Sequence, residues 1–137
     1  IPFEKGPRPI GPYSYIIRAG DFVFFSGQAS IDPKTREVVQ GNISVQTRQT
    51  LENLKNALEA AGCTLEDVVR IEIFMRDIED WSKMNEVYQT YFRENFPTRI
   101  AVEARMSIED LLVEMIAIAY RPKLAEDKEK REEIRRS

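Results

Sequence analysis

The chain has no histidine among its 137 residues, and this absence removes whole classes of chemistry. It excludes Ser-His-Asp and Cys-His nucleophiles, histidine-based ribonuclease chemistry and zinc sites with imidazole ligands. Any acid–base work falls to Asp, Glu, Tyr, Lys, a backbone group or water. Cysteine is nearly as scarce. Cys63 stands alone, so no intrachain disulfide can form, and cytoplasmic residence is the expectation. Cys63 follows Gly62 where a helical pattern ends, a place for a small, partly buried residue rather than a nucleophile. No apolar run approaches the roughly 18–20 residues needed to cross a bilayer. The opening residues Ile1-Pro2-Phe3-Glu4-Lys5 carry no signal-peptide pattern. A net charge of −3 offers no general attraction to nucleic acid or anionic membrane.

What remains is 42% hydrophobic and 31% charged, a balance that suits one domain around one core. Residues 1–13, with Gly6, Pro7, Pro9, Gly11 and Pro12, read as an extended arm. Ser14–Ala19 predicts a short strand. Phe22–Ser26 predicts a nearly all-apolar one, buried on both faces. Glu37–Val39 could pair briefly as a third. Leu51, Leu54, Leu58 and Ala61 fall at helical spacing, with Ser44 as a cap and Gly62 as the stop. Val68–Asp77 alternates, with Val69, Ile71, Ile73 and Met75 on one face and Arg70, Glu72 and Arg76 on the other. A second helix is expected from about Asp80 to Asn95, striped by Trp81, Met84, Val87, Tyr88, Tyr91 and Phe92. Strands around 100–106 and 112–120 follow. The order β-β-β-α-β-α-β-β implies an α+β mixed sheet with both helices on one face. The chain has no spare element for the other face, so self-association is the economical cover. Residues 122–137 crowd charges of both signs with almost no apolar residues and read as a solvated tail beyond a domain of residues 1–121.

Two residues stand out chemically. Arg99 follows Phe96-Pro97-Thr98 and opens a strand, where its planar charged fork could grip a carboxylate bidentately. A surface ion pair beside a turn is the plainer reading. Glu114 interrupts the apolar row of Leu112, Ile116, Ile118 and Tyr120, a costly position unless the carboxylate is paired or poised for function. It could also reach solvent at the strand end or pair with a lysine. Together they suggest a pocket for a small carboxylic acid with a carboxylate nearby to handle water or a proton. Tyr13, presented by Gly11-Pro12, could serve a ligand or plug the core. At Ser26-Gly27-Gln28 the glycine permits close approach of a ligand, or marks a bulge. Asn85 is mildly unfavourable inside a helix and could be exposed or could hold a loop or ligand.

No one of these signals is specific. In order along the chain, however, Ile10-Gly11-Pro12-Tyr13-Ser14, Ser26-Gly27-Gln28, the Gln46…Asn53-Leu54 helix, Asn85-Glu86-Val87-Tyr88, Phe96-Pro97-Thr98-Arg99 and Val113-Glu114-Met115-Ile116-Ala117-Ile118-Ala119 resemble the RidA/YjgF family of reactive-intermediate deaminases. The resemblance covers about residues 8–121. It implies a chorismate-mutase-like fold of about six strands and two helices, assembled as a homotrimer with ligand clefts between subunits. It also implies hydrolysis of enamine or imine acids, such as 2-aminoacrylate, to 2-keto acids and ammonia, without cofactor or metal. On the same basis Arg99 would grip the substrate carboxylate and Glu114 would orient a water. Tyr13, Ser26 and Asn85 would shape the cleft, and backbone groups near Gly27 and Ala101 would contact the ligand.

Three positions depart from the family pattern. Ala101 stands where a cysteine is common, Tyr15 where a glutamine is usual, and Ile116 where a second carboxylate often lies. The proposed chemistry suits the residues. An imine needs little nucleophilic power, so a held carboxylate and a placed water suffice. A Glu in an apolar pocket would have a raised pKa, which a nearby Arg99 would oppose. A binding or regulatory protein that senses 2-keto acids in the same cleft is the alternative. The ribonuclease or translation-inhibitor activity ascribed to some relatives comes third, because the acidic balance and missing histidines weigh against it.

Overall fold

The computed structural model describes residues 11–122. The elements run β1 (Ile16–Ala19), β2 (Phe22–Phe25), β3 (Gln28–Ala29), α1 (Ile43–Ala60), β4 (Val68–Met75), α2 (Trp81–Tyr91), β5 (Thr98–Glu103) and β6 (Val113–Tyr120). The strands form one mixed sheet in the order β1-β2-β6-β4-β5, with β3 also pairing β6. Only β4 and β5 are parallel, as the helical crossover between them allows. This is the expected α+β sheet with two helices. The expected arm before residue 11 and the expected tail after residue 122 lie outside the described residues.

The core lies between the helices and one face of the sheet. Ile71, Ile73 and Met75 of β4 and Val113, Met115, Ala117 and Ala119 of β6 are buried there with Leu51, Leu54 and Leu58 of α1 and Met84, Val87 and Tyr88 of α2. Complete burial of each leucine contributes about 1.5–3 kcal/mol. The end of α1 shows why Gly62 stops it. Gly62 has φ 76°, its N–H donates to Glu59 O (3.0 Å), and Cys63 N–H donates to Leu58 O (2.8 Å). These two bonds satisfy orphan carbonyls of the last turn, and only the glycine takes the left-handed conformation without strain. The start differs from expectation. Asn42 is the cap, its side chain accepting from Val45 N–H at 3.0 Å, and Ser44 lies in the first turn, two residues past the cap. Among the described residues no helix is long and apolar enough to cross a membrane.

Four other expectations are corrected. First, β2 is not buried on both faces: Val23 and Phe25 point into the core, while Phe22 and Phe24 are exposed. Second, the third strand is Gln28–Ala29. Glu37–Val39 makes only a single bridge, Val38 to Ile31. Third, Val69 does not share the face of Ile71. A register shift between Val68 and Arg70 buries Val68 and turns Val69 out, and the Thr98 hydroxyl donates to the Val69 carbonyl at 3.1 Å. Fourth, α2 ends at Tyr91, because Phe92 is extended and Asn95 takes φ 50° before Phe96-Pro97. Asn tolerates that conformation better than most residues, and it launches β5.

The second face of the sheet is apolar, and among the described residues no helix or strand covers it. Ile17 (52% exposed), Phe22, Phe24, Tyr120, Ile100 (48%) and Val102 lie on it, and its centre holds an Arg70–Glu72 ion pair at 3.3 Å.

Candidate active site

Arg99 enters β5 opposite Ile71, which is itself opposite Ala117 on β6. Paired residues share a face, so Arg99 points to the helix side of the sheet. There α2 meets it. Trp81, Asn85 and Tyr88 follow one another at i, i+4 and i+7, one stripe of a helix. Asn85 Oδ1 accepts from Arg99 Nη1 at 2.7 Å. The guanidinium carbon lies 4.8 Å from the Tyr88 ring centroid and 5.6 Å from that of Trp81. Both distances are in the range of cation–π attraction.

A guanidinium only donates, so Asn85 must turn its oxygen to Arg99, which leaves its NH₂ outward as a second donor. Among the described residues no carboxylate pairs with Arg99, so the surface ion pair read as its plainer role is absent. Its charge is held by neutral groups and stays available to an anion. Burial pushes the Tyr88 hydroxyl up to about 12, against the opposing pull of Arg99, so Tyr88 stays neutral.

Glu114 stands opposite Phe74 on β4 and Ala29 on β3. It therefore projects from the other face of the sheet, among Ile116, Ile118 and Tyr120. It is partly buried and makes no hydrogen bond or ion pair within the described residues. Burial raises its pKa above the ordinary value. Its carboxyl group lies over Gly27: a Cβ placed on Gly27 would come within 2.9 Å of Glu114 Cδ and overlap Oε1. Gly27 thus leaves open the space that the Glu114 carboxyl group occupies. Beside it, Ser26 N–H donates to Tyr15 O (2.8 Å) and Ser26 Oγ donates to Ser14 O (2.5 Å), so this hydroxyl is already engaged. Tyr13 is exposed and meets Tyr15 edge to face at 5.6 Å. Burial, with Tyr13 as the next contribution, raises the Tyr15 hydroxyl to about 12.

The predicted residues therefore form two groups. Arg99, Asn85 and, two residues along β5 on the same face, Ala101 make one. Glu114 and Gly27 meet on the other side of the sheet, with Ser26 adjacent in the chain, while Tyr13 packs against Tyr15. In register Glu114 is two strands and three residues from Arg99, about 14 Å between Cα atoms. The pocket expected from the pair does not exist inside one chain. Nor does Arg99 oppose the raised pKa of Glu114, which has burial as its cause.

Residues that position these groups escaped the sequence reading. The apolar stripe of α2 predicts Trp81 and Tyr88 as core residues, yet Trp81 is 44% exposed and both rings flank Arg99. Their i, i+4, i+7 spacing with Asn85 was the available signal. Asn53 donates to the carbonyls of Ala29 (2.8 Å) and Ile31 (2.7 Å), which fixes β3 over Glu114. Gln46 donates to Asp110 O (2.9 Å) and accepts from Leu112 N–H (2.8 Å), which seats the loop before β6. Among the described residues no cluster of three or more His, Cys, Asp or Glu could hold a metal ion.

Comparison with known proteins points one way. A family model described as "Endoribonuclease L-PSP" matches residues 3–121. A RutC family protein of Pyrococcus horikoshii is 53% identical over 118 residues, covering 86% of this chain and 94% of the relative. A 2-iminobutanoate/2-iminopropanoate deaminase of Salmonella typhimurium is 40% identical over 124 residues, covering 88% and 96%. Among solved structures, E. coli TdcF with bound serine superposes with a TM-score of 0.81 at 35% identity, covering 88% of this chain and 97% of that one.

Proposed function

The chain belongs to the RidA/YjgF family, and from that premise we propose that it hydrolyses enamine and imine acids, such as 2-aminoacrylate, to 2-keto acids and ammonia. The observation that carries this reading is Arg99, held by Asn85, Tyr88 and Trp81 with no carboxylate paired to it among the described residues. Such a group is prepared for the carboxylate of a small acid, with the Asn85 NH₂ beside it. A similar protein at 40% identity is named as a deaminase of this kind, and another was crystallised with serine, which carries the same carboxylate.

The complete site is proposed to form between subunits of a homotrimer, with Arg99 from one copy and Glu114 from the next. The bare apolar face and the two-sided arrangement within one chain both support this. Arg99 and Asn85 bind the carboxylate, and an enamine substrate first takes up a proton on carbon and loses one from nitrogen to become the imine. Water adds to the imine carbon, with Glu114 accepting its proton. Glu114 returns that proton to nitrogen to give the carbinolamine, then takes the carbinolamine hydroxyl proton and delivers it to nitrogen as the C–N bond breaks, which releases ammonia and leaves the 2-keto acid. A carboxyl group whose pKa is raised by burial suits these transfers. Tyr13, Ser26, Gly27 and Ala101 line the cleft. No cofactor or membrane has a part, and the cytoplasm is the proposed compartment.

The test generates an imine in situ with an amino-acid oxidase, with semicarbazide as the competing trap. Wild-type protein should suppress semicarbazone formation, and Arg99→Ala should not, with at least a hundredfold loss of turnover. An Arg99→Ala variant with near-normal turnover sinks the assignment. The second reading, a sensor of 2-keto acids, draws on the fact that the Arg99 group is complete within one chain. It takes over if no imine is turned over and 2-oxobutanoate binding is still lost in Arg99→Ala.

A further inference from the structure

Tyr88 flanks Arg99 with a ring and a hydroxyl. It is only 5% exposed, and its hydroxyl has no partner in hydrogen-bond geometry, although the charge of Arg99 acts on it. A buried, unpaired hydroxyl is destabilising, and phenylalanine would fill the same space without it. The ring itself is well placed. One side stacks on Phe92, with centroids 4.6 Å apart and planes 27° from parallel. The guanidinium of Arg99 lies 4.8 Å from its centroid, closer than to Trp81. Asn85 holds one nitrogen of the same guanidinium from one turn earlier on α2. A single hydrogen bond lets a long side chain swing about it, and a ring packed under the group removes that freedom.

We infer that Tyr88 is a positioning residue: its ring sets the plane of the Arg99 guanidinium so that the outward N–H groups meet a carboxylate together. The Phe92 stack holds the ring, and the ring holds the arginine. The inference rests on the reading of Arg99 as the carboxylate grip, and deepens it. It assigns the work to the aromatic face rather than to the hydroxyl. Because the hydroxyl stays neutral at physiological pH, the ring adds no charge that would compete with the substrate.

The test compares Tyr88→Phe, Tyr88→Leu and Arg99→Ala in the full chain, using imine turnover and 2-oxobutanoate binding. Tyr88→Phe should keep KM and Kd within about twofold and melt at the same or a higher temperature. Tyr88→Leu should raise KM and Kd by between about 2-fold and 30-fold, the span of cation–π contacts from exposed to desolvated settings, with a smaller change in kcat. If the leucine variant does not fold, Tyr88→Met, whose flexible side chain can fill the space, takes its place. Normal KM and Kd in the leucine variant, with Arg99→Ala impaired, overturn the inference alone. A phenylalanine variant as impaired as the leucine one overturns it in favour of the hydroxyl. An unimpaired Arg99→Ala overturns the reading of the site instead.

Discussion

The Arg99 side and the Glu114 side of the sheet are each served by one helix, but by different means. On the helix face, α2 meets Arg99 directly through two rings and an amide. On the other face, no residue of α1 or α2 makes a hydrogen bond or ion pair with the Glu114 side chain among the described residues. There α1 acts at a distance, with Asn53 pinning the carbonyls of β3 so that Gly27 stays under the carboxyl group. Within the described residues one side carries the complete proposed anion grip, and the other a partly desolvated acid with no side-chain hydrogen bond or ion pair. Under the proposed function, binding is prepared within one chain, whereas the chemistry draws on a second copy.

The sharpest way to break this comparison is to give each side to a different chain. Arg99→Ala and Glu114→Gln proteins should each be inactive. Refolded together in equal amounts, they should regain about a quarter of wild-type turnover, because random mixing leaves about three-quarters of closed threefold rings mixed and each mixed ring has one intact pair. Mixed rings verified by mass spectrometry but still inactive would place both residues' work within one chain.

A smaller effect separates the two sides. Gly27→Ala should push the Glu114 carboxyl group aside, since the new methyl meets Cδ at 2.9 Å and Cγ at 3.2 Å. A displacement of this kind should lower kcat by about 10- to 100-fold, while 2-oxobutanoate affinity, which depends on Arg99, stays unchanged. Equal losses in both would mean that the two sides are not independent.

The smallest effect concerns pH. Burial raises the Glu114 pKa in the folded chain. The folded state therefore holds this proton more tightly than the unfolded one, and the stabilisation this confers is present below the unfolded pKa and is lost as pH rises through the folded value. At neutral pH the carboxylate is a net burden, so Glu114→Gln should melt at the same temperature or a few degrees higher while losing turnover. The acid limb of kcat/KM should lie above the ordinary carboxylate range. A limb at or below that range would remove Glu114 as the base.

The sequence carried much of the architecture. Leu51, Leu54 and Leu58 at helical spacing, Gly62 as a stop, and the alternation of β6 were legible because periodicity and left-handed turns are local properties. Phe22 and Phe24 misled for a physical reason. An all-apolar run looks alike whether both faces meet protein of the same chain or one face is left bare. Tyr88 and Trp81 misled likewise, because an aromatic stripe on a helix has the same spacing whether it meets leucines or an arginine. The chemical nature of Arg99 and Glu114 was readable, and so was their resemblance to a family pattern; their separation was not.

By itself, then, the sequence determined the residue types able to work, their order on the chain and the secondary structure that bears them, since these follow from side-chain chemistry and from interactions within a few residues. Tertiary structure alone decided that Arg99 and Glu114 leave the sheet on opposite sides. That outcome depends on strand register, where a shift of one residue reverses the face of every side chain. Register is set by the pairing of β4 with both β5 and β6, between residues distant in sequence, and no local pattern reports it.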